Sequence, residues 1–451
     1  MRLTPFAALA VLPAAAALAA GCGGAGSGAP GGADGAATVV PADAVAFVAA
    51  ATDLESKRWH GLGKLALERL QGFGELRAAA GDEIDVATLG DGKTVAFARP
   101  DDRAKLDALA ARRGLRTRTI GGWTALARDT DTLDDVAAAR THLADNTLFI
   151  DAMNHLPGDA LVRGYANGER ANALFASIPG QLESRLLPSG SKYRFKPDRS
   201  GRPTAIPVGT QEFRWLAAAI TSDGDGLKLE TLAAPGDLTA PKPPRMAIRP
   251  IAPYRPALPD EIPADALGVV DFLVPEGAFE LTSLPPQLRA LFGKGAVALP
   301  NELDQLLGGE TALYIRAGLP IPEITLVTQP ADTATASETL DSLLRELPAG
   351  ALFGGLPLHR AVIGGQFVVS TTEKGIDAFR GSGAKLSSSS AFRSALERAG
   401  MPDRVTGFAY LNGWAALPLL GVANLPRVDR AFAFGARSQG LATLSAVLDL
   451  E

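Results

Sequence analysis

The residues of this chain that can do chemistry are few and scattered. Cys22 is the only cysteine, and the four histidines are His60, His142, His155 and His359. None of these histidines has a His or Cys at a metal-ligand spacing, and no H-E-x-x-H occurs, so no zinc site is expected. No G-x-S-x-G marks a hydrolase elbow. Gly61-Leu62-Gly63-Lys64-Leu65-Ala66 imitates a dinucleotide fingerprint, but the strand expected before it ends at Thr52 and charged residues intervene. Asp82-Glu83-x-Asp85 offers oxygen ligands without the Gly and distal Glu of a calcium loop, and reads as a solvated helix start. Ser387 to Ser390 reads as a loop and helix cap, His142 as a helix-end residue facing the dipole, and His359 as an exposed strand position. The chain is therefore expected to use no cofactor and to be no enzyme.

Cys22 is different because of what precedes it. Arg2 is the only charge before it, and an Ala- and Leu-rich apolar run extends from Pro5 to Ala20. The run is short for a membrane span and ends in small residues, as a signal peptide does. Leu18-Ala19-Ala20-Gly21-Cys22 resembles the lipobox of bacterial lipoproteins, with Ala19 where that motif prefers Leu. The resemblance implies that residues 1–21 are a signal peptide and that the Cys22 thiol takes a diacylglyceryl group and becomes the mature N-terminus. Each buried methylene contributes about 0.8 kcal/mol, so two acyl chains hold a soluble body to a membrane. Residues 22–39, with their run of Gly, Ala and Ser, then read as lipid anchor and flexible tether. The expected location is extracytoplasmic, lipid-anchored to the cell membrane.

Removing residues 1–21 leaves 451 − 21 = 430 residues, enough for two or three domains. Without Arg2 the charged residues number 43 basic against 49 acidic, a net of −6. A mildly acidic chain is not a general nucleic-acid binder. With a single cysteine no intramolecular disulfide can form, so stability rests on core burial.

The opening Pro41-Ala42-Asp43-Ala44 returns as Pro263-Ala264-Asp265-Ala266 at an offset of 222. Leu115 and Ile120-Gly121-Gly122 match Leu358 and Ile363-Gly364-Gly365 at 243. Phe149 matches Phe392 at the same offset, and Tyr165-x-Asn167-Gly168 matches Tyr410-x-Asn412-Gly413 at 245. Alternating runs around a Gly-Gly pair predict hairpins, and helical periodicity follows each. The expected fold class is α+β, two tandem copies of a mostly antiparallel sheet with packed helices. The copies span residues 40–234 and 262–451. Between them residues 235–261 read as a Pro-rich linker, since Pro235 to Pro263 contains nine prolines. The strand expected at Thr311 to Arg316 has no counterpart in the first copy.

The Pro-Ala-Asp-Ala opening behind a lipobox and Gly-rich tether resembles a family of bacterial envelope lipoproteins known only as a domain of unknown function. That resemblance implies an extracytoplasmic lipoprotein and assigns no functional residues.

One stretch reverses the local charge. From Asn-Gly to the closing turn the first copy spans 226 − 168 = 58 positions and the second 440 − 413 = 27, so the first carries an insertion, at about 176–208. It holds Arg185, Lys192, Arg194, Lys196, Arg199 and Arg202 against Asp198, with Tyr193 and Phe195 interleaved. These are the candidate partner-contact residues, for a cell-wall polyanion, an anionic lipid or an envelope protein. The favoured function is a non-catalytic binding or scaffolding lipoprotein. The alternatives are a carrier enclosing a lipid or other apolar ligand, and an envelope enzyme with an unrecognised carboxylate site.

Overall fold

The computed structural model describes residues 35–52, 79–168, 170, 213–223, 226–236, 252–274, 304–318, 322–346, 357–412 and 428–450. Cys22, its leader and tether, the Gly61 stretch and the basic insertion with Arg185 to Arg202 lie outside the described residues. The chain divides into two compact units, Met1–Gly224 with Leu229–Ala247, and Asp225–Lys228 with Ile248–Glu451.

In the first unit the chain order is β1 (Ala46–Ala51), β2 (Glu83–Thr88), β3 (Thr94–Ala98), α1 (Arg103–Arg112), β4 (Arg116–Ile120), β5 (Trp123–Ala127), α2 (Thr130–Ala138), α3 (Thr147–Asn154), β6 (Val162–Asn167), β7 (Phe213–Asp223) and β8 (Gly226–Pro235). The strand order is β8-β7-β6-β1-β2-β3-β5-β4. Second-unit elements are β9 (Ala266–Val274), β10 (Gly309–Arg316), β11 (Glu323–Thr328), α4 (Thr333–Glu346), β12 (His359–Ile363), β13 (Gln366–Ser370), α5 (Glu373–Arg380), α6 (Ser390–Ala399), β14 (Gly407–Asn412), β15 (Val428–Ser438) and β16 (Leu441–Leu450). Their strand order is β12-β13-β11-β10-β9-β14-β15-β16.

The fold class expected from the sequence is corrected here. The strands belong to one sixteen-stranded sheet with antiparallel neighbours such as β1–β2 and β9–β10, not to two tandem α+β bodies with a sheet each. Local patterns locate strands and turns, but which strand edges hydrogen-bond is a long-range matter that periodicity does not carry. Three smaller readings change as well. Asp82 to Asp85 does not start a helix: Glu83 opens β2, and Asp85 is fully buried within it. His142 is not at the end of α2, which stops at Ala138; it pairs in an isolated bridge with Pro41. Tyr254 and Leu258, in the stretch read as a linker, pack into the second unit's core with Ile262.

The hairpins turn where expected. Gly121 and Gly122 join β4 to β5 at φ of +54° and +84°, a left-handed region that glycine enters without a Cβ clash. Gly364 and Gly365 do the same between β12 and β13. Helix starts are capped from the sequence: Asp129 accepts from Thr132 N at 2.8 Å, and Thr372 from Gly375 N at 3.0 Å.

One sheet face of each unit carries an aromatic core, under α3 in the first unit and under α5 and α6 in the second, while α1 and α4 pack on the opposite face. In the first, Phe149 of α3 meets Phe47 and Tyr165 edge-on, at centroid distances of 5.6 and 5.2 Å. In the second, Phe392 of α6 meets Tyr410 edge-on at 5.0 Å and packs against Phe408 and Phe432. Such edge-to-face pairs align the positive ring edge with a negative ring face.

Candidate functional site: buried carboxyls, two clefts and an open sheet face

The Pro-Ala-Asp turns each lie at a surface cleft. Around Pro41 to Asp43 the chain lies antiparallel to the segment after α2: Ala42 N donates to Thr141 O, and Leu143 N to Val40 O at 2.8 Å. Around Pro263 to Asp265 the same arrangement forms with the segment after α5, Ala264 N donating to Ala384 O and Leu386 N to Ile262 O. The adjoining clefts have volumes of about 580 and 420 Å³. The aspartate of each turn is paired with an arginine. Arg170 Nη1 donates to Asp43 O at 2.8 Å and stands 3.4 Å from the Asp43 carboxylate. Arg316 grips Asp265 through two hydrogen bonds of 2.8 and 2.6 Å, and reaches Glu323 at 2.8 Å. The repeated motif therefore pins a turn, and its aspartates are held by arginines.

Two buried acids, Asp271 and Glu310, come from positions that sequence reading passed over. Asp271 lies within β9, and its carboxylate accepts from the Tyr254 hydroxyl. Glu310, on β10, accepts from Ala257 N at 2.7 Å and Leu258 N at 2.8 Å. Burial pushes the Asp271 carboxyl up to about 8; the Tyr254 hydrogen bond opposes this and the neighbouring Glu310 adds to it. In the first unit Asp85 Oδ2 accepts from Ala36 N at 2.8 Å, and burial followed by the Glu83 charge holds its carboxyl well above the usual range. Each acid fastens the chain segment that precedes its unit's first strand. None of the three lines either cleft, so all three read as structural.

The other candidates disperse. Asp151 of α3 accepts from Trp215 Nε1 at 2.9 Å, and the His155 ring lies 5.7 Å from that indole. His155 Nδ1 meets the Asp151 carbonyl at 2.8 Å, while the carboxylate is 3.8 Å away. This is a packed helix face, not a base held for a nucleophile. His359 opens β12 at a half-buried position. Among the described residues no three His, Cys, Asp or Glu side chains gather in a metal-binding group.

The remaining feature is an apolar face. On β9, Val269 and Asp271 point toward the aromatic core, while Gly268, Val270 and Phe272 point the other way. Register carries that outer face across the neighbouring strands. Val270 pairs with Leu313 on β10 and Ala409 on β14, Ala409 pairs with Ala433 on β15, and Ala433 with Ala446 on β16. A second row runs from Phe272 through Gly407 and Gly435 to Leu444, and a third from Gly268 through Leu411 and Ala431 to Leu448. These rows contain no charged residue. Val270 is 46% exposed, Leu444 50% and Leu448 38%. Between these exposed positions the row residues are half-buried, apart from the buried Gly268. The alternation test for strands misses this face, because Leu267 to Val274 is apolar on both faces but for Asp271.

No known protein family matches the chain, and no curated protein matches it. Among solved structures it is similar to TP0453. The crystal form III structure matches at a TM-score of 0.26 with 10% identity, covering 45% of this chain and 81% of that one. Crystal form I matches at 0.25 with 8% identity, covering 47% and 82%. Likeness at this level carries no functional argument.

Proposed function

We propose that the protein is a membrane-anchored extracytoplasmic lipoprotein with a non-catalytic binding or scaffolding role in the cell envelope. The observation that carries this reading is Leu18-Ala19-Ala20-Gly21-Cys22, an apolar leader ending in small residues before the sole cysteine. The described body supports it from the other side. Ala36 is buried and its N–H is tied to Asp85. Between Cys22 and Gly35 lie 34 − 22 = 12 residues. At about 3.3–3.6 Å per extended residue they reach at most ~43 Å, which keeps the body beside the membrane. The basic stretch Arg185 to Arg202 would then face anionic lipid or wall polyanions at roughly 1 kcal/mol per cation near a charged surface.

The test is metabolic labelling with a fatty-acid probe. The wild-type chain takes the label and partitions with membranes, and Cys22→Ala accumulates as unlabelled precursor. Equal labelling of both would remove the anchor. For the basic stretch, protein lacking the lipid should bind anionic vesicles at low salt and lose them as salt rises. Replacing its six cations with Ser should abolish that binding; unchanged binding would reduce the stretch to a surface loop.

A further inference from the structure

We infer that the segment from Pro253 to Ile262 is a proton-locked strap: Asp271 and Glu310 hold it down while they share a proton, and it opens locally as they give that proton up. The inference stands whether or not Cys22 is acylated.

The strap is fixed at its ends by backbone bonds and in its middle by the two acids. Tyr254 N donates to Val405 O and Val405 N to Tyr254 O, both at 2.9 Å, and Arg404 donates to Pro253 O at 2.8 Å. At the far end Ile262 O accepts from Leu386 N at 2.8 Å, and Glu261 O from Lys385 Nζ at 2.9 Å. Pro253, Pro256 and Pro259 have no N–H to offer. In the middle the Tyr254 hydroxyl donates to Asp271, and Ala257 N and Leu258 N both donate to Glu310 Oε1.

The two acids sit together without a counter-charge. Asp271 pairs with Ala312 across the ladder and Glu310 with Leu273, so the carboxyls are diagonal neighbours on one sheet face. Asp271 is fully buried and Glu310 is 5% exposed. Among the described residues neither carboxyl meets a cation. β14 sets Phe408 opposite Asp271, and the backbone N–H of Gln329, just past β11, goes to the Glu310 carbonyl. On the strap Arg255, Asp260 and Glu261 are exposed, and Asp260 only adds negative field at Glu310. Lys385 and Arg404 are spent on strap carbonyls. Asp271 Oδ2 meets no donor. A proton on that oxygen makes it a donor, and the Glu310 carboxyl beside it is the acceptor. Two bare carboxylates in one dry site repel each other and lack solvation, so the pair keeps a proton beyond the ordinary carboxylate range. The Tyr254 hydroxyl is pushed far up by burial and stays a donor throughout.

Ionising the pair fully requires water, and the strap is the wall that can move. β9 is bonded to β10 and β14, and β10 to β9 and β11, along their lengths. The strap belongs to no ladder and contains one short 3-10 turn, Leu258–Asp260. Leu258 and Ile262 are fully buried, so their exposure opposes opening and the open form is a minority that grows with pH. The closed form binds the proton and the open form releases it. The strap is therefore tightest at low pH. Its opening constant rises about tenfold per pH unit above the ordinary carboxylate range, and levels off once the closed form ionises too.

The experiment is hydrogen exchange read by mass spectrometry on the whole chain from pH 5 to pH 9, corrected for the ordinary rise of amide exchange with pH. Exchange in 253–262 should accelerate about tenfold per pH unit and flatten near pH 8, where the Asp271 carboxyl titrates. The amides of β15 should show no such rise. Glu310→Gln and Asp271→Asn each keep an acceptor oxygen for the strap and remove one charge, so each should leave strap exchange slow and flat with pH. Asp377→Asn, an exposed acid of the same unit, should behave as the wild type does. Strap exchange that is flat in the wild type overturns the inference, and so does a rise shared equally by β15, which would be unfolding of the whole unit. A rise that survives in both amide variants, or a strap already open at pH 5 in both, overturns it as well.

Discussion

Asp85 in the first unit and Asp271 in the second are both fully buried, yet they stand on different strands. Asp85 is on β2 and faces Ala49 of β1; Asp271 is on β9 and faces Ala312 of β10. In strand order these are the same cross-strand pair with acid and alanine exchanged. Both acids hold the chain that enters the unit's first strand, but they hold it differently. Asp85 takes the N–H of Ala36 directly. Asp271 takes a tyrosine hydroxyl, and the backbone donors of the entering chain go to Glu310 instead. The difference teaches that the requirement lies with the incoming segment. Its orphan donors need a buried acceptor, and in both units that acceptor stands on the strand beside the first, Asp85 on β2 and Glu310 on β10.

The largest expected effects test what the units share. Phe149→Ala and Phe392→Ala each empty the centre of an aromatic cluster, and each should cost about 3–5 kcal/mol in urea unfolding. A loss below 1 kcal/mol at one site only would show that the two cores are not built alike.

Next comes the acid itself. Asp85→Ala strands the Ala36 N–H in a dry site and should cost about 1–3 kcal/mol, with faster proteolysis before Ala46. Asp85→Asn keeps an acceptor oxygen and should recover most of that stability. Equal losses in the two variants would mean that charge, not the hydrogen bond, fastens the segment.

How far the sequence revealed these features follows from the same residues. Gly121-Gly122 and Gly364-Gly365 were legible because positive φ at both positions of a tight turn is a local demand. The Phe149 and Phe392 helices were legible by their apolar spacing. β2 was not: Glu83 and Asp85 break the apolar run, and an acid within a buried strand contradicts the transfer cost that sequence reading relies on. Missing β2 is also why β10 had no counterpart, although each stands beside its unit's first strand. Tyr254 and Leu258 were hidden among prolines, which signal extended chain but not whether that chain is packed. The joining of all strands in one sheet depends on edges far apart in sequence and left no local mark. Of the candidate sites, Cys22 and the basic stretch were visible from residue types alone, whereas the open face needed register to assemble.

The buried acids should also make stability depend on pH. The Asp271 carboxyl is raised from an ordinary 3.8 to about 8, chiefly by burial. The folded state thus keeps a proton that the unfolded state gives up above pH 4. The stability from this group is complete below about pH 4 and drains away as pH rises through 8, by at most ~1.4 kcal/mol per unit. Asp271→Asn should flatten this part of the urea midpoint profile between pH 5 and pH 8. A remaining slope of the same sign is expected from Asp85 and Glu310, which burial also raises. An unchanged slope in Asp271→Asn would show that the carboxyl does not titrate in this window.

The smallest effects concern the paired turns. Asp265 meets Arg316 through two hydrogen bonds, and the Arg316 side chain is only 17% exposed. Asp43 meets Arg170 at 3.4 Å, with both side chains about half exposed, at 59% and 46%. Asp265 is 63% exposed, much like Asp43, so the two pairs differ on the arginine side, and screening of the second exceeds that of the first only through the more open Arg170. Asp265→Asn should therefore cost about 1 kcal/mol, because it leaves a largely enclosed guanidinium with Glu323 as its remaining acidic partner. Asp43→Asn should fall within about 0.5 kcal/mol of wild type, and raised salt should erase even that. The backbone bonds of the two turns are alike, so the contrast isolates the ion pair from the turn. Equal losses at both sites, insensitive to salt, would place the stabilisation in the turns themselves. The aspartates would then matter only for the loop conformation they favour.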